Sequence, residues 1–242
     1  MEHPDRTAIV TGAARRIGAE IARALRDDGW AVIAHVHNST DSVPDGTVAV
    51  VADLAETDCA ERIFAAADGL PPVTVLINNA ARFAHDDLGG FSAQEFDLHM
   101  RVNVRAPVLL TKAFAERHDS ASDAAIVNIL DAKLSAPNPD FLSYTLSKQA
   151  LAGLTEQAAR ALAGQSIRVN GIAPALMLRS AGQSEENFET MHKRNPLKRG
   201  VEPSDVVEAV RYLIGAKSVT GQVLTIDSGQ RFLALPRDVQ FL

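Results

Sequence analysis

The sequence holds a single cysteine, Cys59, and a single tryptophan, Trp30, among 242 residues. A lone cysteine closes no intrachain disulfide, and a zinc site built on paired cysteines is excluded with it. The chain contains no apolar run near the ~18 residues that a membrane-crossing helix needs. Its first residues, Met1-Glu2-His3-Pro4-Asp5-Arg6, are polar and lead straight into a short strand, without the apolar stretch of a secretory signal. Excess positive charge is missing too: 24 Lys and Arg stand against 30 Asp and Glu, a net charge of −6. Binding to nucleic acid by phosphate neutralisation runs on the opposite balance. No repeat, low-complexity tract or linker divides the chain. With 46% hydrophobic and 22% charged residues, the composition is ordinary for a globular protein. A chain of this length buries roughly 70–75% of its unfolded surface, enough for a core without disulfides or metal. The expectation is one cytoplasmic domain spanning residues 1–242, with no metal, nucleic acid or membrane among its partners.

What is present is an alternation. Short β-branched runs at 7–10, 31–35, 47–51, 73–77, 125–130, 167–172 and 222–226 read as strands. Helical patterns fill 17–28, 56–67, 92–118 (interrupted near Pro107), 141–163 and 204–214. Strand–helix alternation predicts βαβ units and a parallel sheet. The strands are nearly all apolar rather than alternating, as expected when helices cover both faces. The predicted fold is a doubly wound α/β sheet in three layers. Residues 36–46 are too few for a crossover helix, so a loop or a single helical turn is expected between the second and third strands.

The first strand runs directly into Thr11-Gly12-Ala13-Ala14-Arg15-Arg16-Ile17-Gly18 and then a helix. Backbone N–H groups and the positive helix end meet at such a turn, which suits a pyrophosphate. Alone, the pair of glycines also reads as a plain strand–helix turn. Its place at the first crossover of a doubly wound sheet favours a dinucleotide site. Tyr144 and Lys148 stand four residues apart on a predicted helix, so both face one side. A lysine ammonium near a phenol favours the phenolate. That would poise Tyr144 to deliver a proton as hydride arrives.

Together these residues resemble the short-chain dehydrogenase/reductase family along nearly the whole chain. The motifs occur in order: the turn Thr11 to Gly18, Asp53 after the third strand, Asn78-Asn79-Ala80 after the fourth, Asn103 in the long helix, Tyr144-Thr145-Leu146-Ser147-Lys148 and Pro174. The resemblance implies that Tyr144 is the proton donor, that Lys148 also holds the nicotinamide ribose, and that Asn103 anchors a water in the relay. It implies a dinucleotide held by Gly12, Arg15, Ile17, Gly18, Asn79, Ala80 and Pro174, with Asp53 on the adenine and Leu54 packed beside it. A homotetramer is the assembly it implies.

Three departures narrow the branch. Thirteen residues before Tyr144, where the family usually has serine, stands Asp131; the middle glycine of the turn is Arg16; and Arg82-Phe83 follows Asn78-Asn79-Ala80-Ala81. These features resemble the pteridine reductases and related dihydromonapterin reductases. There the ring in the slot of Phe83 sandwiches a pterin against the nicotinamide. Reducing a C=N bond needs hydride on carbon and a proton on nitrogen, and a carboxyl group of raised pKa, such as Asp131, can supply the proton. Arg16 near the pyrophosphate is placed to touch phosphate and pterin. Other readings stay open: Asp131 as a strand-end cap, Phe83 as core or lid packing, Arg16 as a solvated charge.

At the end of the second strand, an acid would bind the ribose hydroxyls of NAD. The chain has His35-Val36-His37-Asn38-Ser39 instead. His37, Asn38 and Ser39 offer donors to a 2′-phosphate, as a similar run does in the pteridine reductases, and Arg15 adds charge. The expected cofactor is NADP(H), and the expected substrate a small pterin-like molecule. Residues 177–200 correspond to the family's substrate lid. Residues 231–242 carry Phe232, Leu233, Leu235, Phe241 and Leu242, which should pack on the domain or on a partner subunit. The rival readings are a general carbonyl reductase and a catalytically silent NADP(H)-binding sensor.

Overall fold

The computed structural model describes residues 5–180 and 182–242. Residues 1–4, at the polar start, and residue 181, within the expected lid, lie outside the described residues. Seven strands form one parallel sheet: β1 (Thr7–Val10), β2 (Ala31–Val36), β3 (Val48–Val51), β4 (Val73–Asn78), β5 (Ala124–Ile129), β6 (Ile167–Pro174) and β7 (Val223–Ile226). Their order is β3-β2-β1-β4-β5-β6-β7, and every pairing is parallel. The helices are α1 (Arg16–Asp27), α2 (Cys59–Ala65), α3 (Ala93–Met100), α4 (Ala106–Arg117), α5 (Leu142–Leu162), α6 (Glu185–His192) and α7 (Pro203–Gly215).

Alternate strand residues face opposite layers, and both sets are apolar. Ala8, Val10, Val32 and Ile77 pack with Ile21 and Leu25 of α1 and Val206, Val210 and Leu213 of α7. Ile9, Ile33, Leu76 and Ile126 pack with Ile63 and Phe64 of α2, Leu110 and Phe114 of α4, and Ala158 of α5. That double burial is why the strands read as continuous hydrophobic runs. The edge strands are the exception, with Val48, Val51, Val223 and Leu224 exposed.

Strand order reverses between β1 and β4, and ligands of doubly wound sheets bind at such a reversal, beyond the strands' carboxyl ends. Between β2 and β3 runs a loop without a helix. Helix α2 starts three residues later than expected. Asp53 instead makes a turn, its carboxylate accepting the Ala55 N–H (2.8 Å) and its carbonyl the Glu56 N–H. The long helix expected over 92–118 is α3, a π-helical segment (Arg101–Arg105) and α4. The break falls one turn before Pro107, which has no N–H to donate to the Asn103 carbonyl four residues back. No described helix is long and apolar enough to cross a membrane.

Candidate active site

The carboxyl ends of the strands open into one cleft of about 1380 Å³. Every residue given a catalytic, cofactor-binding or substrate-binding role from the sequence lines it except Ser39, which is exposed outside the lining, and Asn103, which is buried beneath it. Gly12 has φ +66°, and a side chain there would drive its Cβ to 2.9 Å from Ala80 Cα. At Gly18 a Cβ would meet the Gly12 carbonyl at 2.1 Å, so the turn closes only with glycine at both places. Arg16, in the slot of the family's middle glycine, takes the left-handed conformation that glycine favours (φ 54°). Its guanidinium donates to the carbonyls of Arg179 (2.9 Å) and Leu178 (3.3 Å). It thus ties the turn to the root of the expected lid. Thr11 fixes the turn against β4: its hydroxyl accepts the N–H groups of Asn79 (2.9 Å) and Ala80 (3.0 Å), and Asn79 Nδ2 donates to its carbonyl.

His35, which opens the His35-to-Ser39 run read from the sequence as facing a 2′-phosphate, is instead built into the same turn. Its Nδ1 accepts the Gly12 N–H at 3.1 Å, so the ring proton sits on Nε2, 3.0 Å from the Ala52 carbonyl. Burial lowers its pKa, and His37 adds to the effect; the Ala52 carbonyl and Asp53 oppose it. His37, Asn38 and Arg15 stand at the open end of the cleft. One carboxylate there, Asp41, accepts the Asn38 N–H, and Asp53 lies 4.0 Å from His37 Nδ1. The donor set of His37, Asn38, Arg15 and Arg16 fits a phosphorylated dinucleotide.

At the other end Tyr144 donates to Asp131 Oδ2 (3.0 Å). Asp131 Oδ1 accepts the Lys133 N–H (2.8 Å). Asp131 therefore caps the short 3₁₀ turn Ala132–Leu134 with one oxygen and accepts from the tyrosine with the other. Burial pushes the Asp131 carboxyl up, against the Lys133 N–H, the Lys133 charge, the Tyr144 hydroxyl and the Lys148 charge. Lys148 Nζ donates to the Ile129 carbonyl (2.6 Å) and lies 5.6 Å from the Tyr144 ring centre. Burial lowers Lys148 to about 8, partly offset by Asp131.

The expectation that Lys148 favours the phenolate is corrected here. Burial first, then the charge and hydrogen bond of Asp131, and then the charge of Asp238, raise Tyr144 well above its ordinary 10.0. The hydroxyl is held protonated, as a donor. The side chain of Asn103 makes no contact with the cleft. Its amide is committed to the protein, accepting the Arg82 N–H (2.7 Å) and donating to the Arg82 carbonyl (3.0 Å) and Ser147 Oγ (2.9 Å).

Phe83 is 46% exposed. Its ring stacks on Phe141 (4.3 Å between centres) and meets Tyr144 edge-on (4.8 Å). It packs and lines the cleft at once. Residues 231–242 fold back over this end: Phe241 lies against His85 and Phe141. Asp238 pairs with Lys133 (2.8 Å), and Arg237 with the buried Asp140 (2.7 Å). Lys133 and Asp238 line the cleft and were not singled out from the sequence. Lys133 was within reach of that reading, two residues past Asp131; Asp238 had no local signal. The lid region contains α6, capped by Ser184, whose Oγ accepts the Asn187 N–H; the Ser184-Glu185-Glu186-Asn187 run was its available signal.

Residues 12–231 match the family described as enoyl-(acyl carrier protein) reductase. Pteridine reductase 1 of Leishmania tarentolae is 32% identical, over 92% of this chain and 95% of its own length. L-xylulose reductase of Caenorhabditis elegans is 31% identical, over 93% and 95%. Among solved structures, alternative dihydrofolate reductase 1 (FolM) of Brucella canis, complexed with NADP, superposes with a TM-score of 0.89. It is 35% identical, with 94% of each chain covered. The ordered motifs, the sheet they sit on and these relatives agree: the chain belongs to the short-chain dehydrogenase/reductase family.

Proposed function

We propose that this chain is an NADPH-dependent reductase of a C=N bond in a dihydropterin or dihydrofolate-like ring. The observation that carries the reading is Asp131: a carboxyl of raised pKa stands in the family's serine position, 3.0 Å from the Tyr144 hydroxyl. The exposed ring of Phe83 lies edge-on to that tyrosine. A carbonyl reductase needs only a neutral hydrogen-bond donor at this position. Protonating a ring nitrogen needs an acid. The aromatic face of Phe83 suits a flat, electron-poor ring.

NADP(H) is held in this reading by Gly12, Arg15, Ile17, Gly18, Asn79, Ala80, Lys148 and Pro174, with His37, Asn38 and Ser39 toward the 2′-phosphate and Asp53 and Leu54 at the adenine. When bound, the cofactor supplies the hydride. Phe83 and Arg16 orient the substrate, and Asp131 and Tyr144 hold the protons that reach its nitrogen. Lys148 sustains positive charge beside them, and the Asn103 carbonyl receives the water that reprotonates the pair. Residues 177–200 close over the ring. The protein acts in the cytoplasm as a homotetramer, a reading supported by its resemblance to the short-chain dehydrogenase/reductase family. The test is NADPH oxidation by the purified protein with dihydrobiopterin, dihydrofolate and a panel of ketones. Turnover of the dihydropterins above the ketones is expected. Ketone turnover alone would establish the carbonyl reductase reading, which relatives such as the nematode L-xylulose reductase keep in view.

A further inference from the structure

Helix α5 carries Tyr144 and Lys148, and its start is unusual. The residue at its N-cap is Phe141, in the left-handed conformation (φ 57°, ψ 49°), with no side-chain cap of its own. The first N–H groups of a helix need outside acceptors. Here they come from Asp86, fifty-seven residues earlier. Its carbonyl accepts the Leu142 N–H (3.2 Å), and its carboxylate accepts the Ser143 N–H at 3.0 and 3.3 Å. Ser143 Oγ also donates to Asp86 Oδ2. Asp86 is 8% exposed, and among the described residues no lysine, arginine or histidine pairs with it. Its charge is met by the helix end alone, where an anion is favoured.

The exchange has a consequence on each side. With capping handed to Asp86, the N-cap position is free for an aromatic side chain, and Phe141 stacks behind Phe83. Phe83 sits three residues before Asp86 on the same loop, and Ser143 is the residue before Tyr144. One carboxylate thus joins the loop bearing the substrate platform to the helix bearing the proton donor.

We propose that Asp86 is a positioning residue: by capping α5 at Ser143 it sets where the Tyr144 hydroxyl stands relative to Asp131 and to the ring of Phe83. The proposal rests on the roles given above to Tyr144 and Phe83. It is tested with Asp86→Ala, Asp86→Asn and Ser143→Ala, assayed with NADPH and dihydrobiopterin. A misplacement of about 1 Å costs on the order of 100-fold in rate, so Asp86→Ala should lower kcat by roughly that factor, with NADPH affinity within about twofold. Asp86→Asn still offers an oxygen to the Ser143 N–H and should restore most of kcat. A second readout needs no substrate. The chain has 2 tyrosines, so in a Tyr212→Phe background the phenol of Tyr144 is observed alone by carbon-labelled NMR. With Asp86 present it should stay protonated until alkaline unfolding. In Asp86→Ala it leaves Asp131 and should titrate below the wild-type value, because the Asp131 charge and hydrogen bond are lost while burial still raises it.

If Asp86→Ala only melts earlier, keeping kcat and the Tyr144 titration, Asp86 is a structural cap and the proposal is overturned. If Asp86→Ala does not fold, Ser143→Ala decides: a several-fold loss of kcat with a lowered Tyr144 pKa supports the proposal, and no change in either refutes it. A wild-type protein that reduces no dihydropterin defeats the functional reading instead, and the Tyr144 titration still judges Asp86.

Discussion

Replacing Asp131 separates pterin reduction from carbonyl reduction. The carboxylate makes two contacts, one to the Tyr144 hydroxyl at 3.0 Å and one to the Lys133 N–H at 2.8 Å. Asp131→Asn keeps an oxygen for one of them and the shape of the site, but removes the acid. Loss of a general acid costs roughly 10²–10⁴ in rate, so kcat on dihydrobiopterin should fall about 100-fold or more, some 2.7 kcal/mol in the barrier. The pH profile carries the same test. Asp131 donates only while protonated, so wild-type kcat should decline as pH rises through its raised pKa. That limb should vanish in Asp131→Asn. Tyr144 should meanwhile titrate lower, since the Asp131 carboxylate is one cause of its raised pKa. Asp131→Ser should fail on dihydropterins as well, yet keep or improve turnover of ketones, where a serine hydroxyl suffices. Stopped-flow and steady-state measurements of NADPH oxidation check each outcome. An Asp131→Ser enzyme with full dihydropterin turnover would refute the assignment of Asp131 as the acid.

Tyr144→Phe should lower kcat by roughly 10²-fold or more while NADPH still binds; Lys148→Ala should weaken both chemistry and NADPH affinity, measured by nucleotide fluorescence titration. NADPH should exceed NADH in kcat/KM by on the order of 100-fold, about 2.7 kcal/mol, and His37→Asp should narrow or reverse the ratio; equal use of both by the wild type would defeat this. Phe83→Ala should raise KM for the dihydropterin by roughly tenfold, about 1.4 kcal/mol of lost ring contact, and leave NADPH affinity unchanged. His35 is held neutral with its pKa lowered by burial. Its contribution to folding is therefore full above the unfolded value of about 6.5 and is lost as pH falls toward the folded one. Denaturant unfolding between about pH 8 and about pH 5 should show that decline, and His35→Gln should flatten it.

The sheet was legible because its signal is local and repeated. β1 and β4 are runs such as Thr7-Ala8-Ile9-Val10 whose alternate residues are buried in different layers, so nearly every position is apolar. The glycine turn, Asp131, Tyr144 and Lys148 were legible for the same reason: each is fixed by spacing within a few residues of a strand end or along one helix. What escaped depends on distant partners. Asp86 caps a helix fifty-seven residues away. Asp238 reaches the cleft through Lys133. His35 stands in the run read as facing a 2′-phosphate, and its bond to Gly12 shows only once the turn is folded against it. The protonation of Tyr144 also lay beyond sequence spacing, because it is set by the balance of burial and Asp131 against Lys148. The π segment at Arg101–Arg105 had one local clue, Pro107, but a proline alone does not say where the helix will widen.

The central claim is that hydride passes from NADPH to a ring carbon of a dihydropterin in the cleft lined by Phe83, Asp131 and Tyr144. Incubation with dihydrobiopterin and NADPH deuterated at the transferable position, followed by mass spectrometry of the pterin, tests it most directly. The account predicts tetrahydrobiopterin bearing one deuterium on carbon, formed by the wild type and lost in Tyr144→Phe. Unlabelled or unreduced pterin, with the deuterium appearing instead in an alcohol formed from an added ketone, would contradict it.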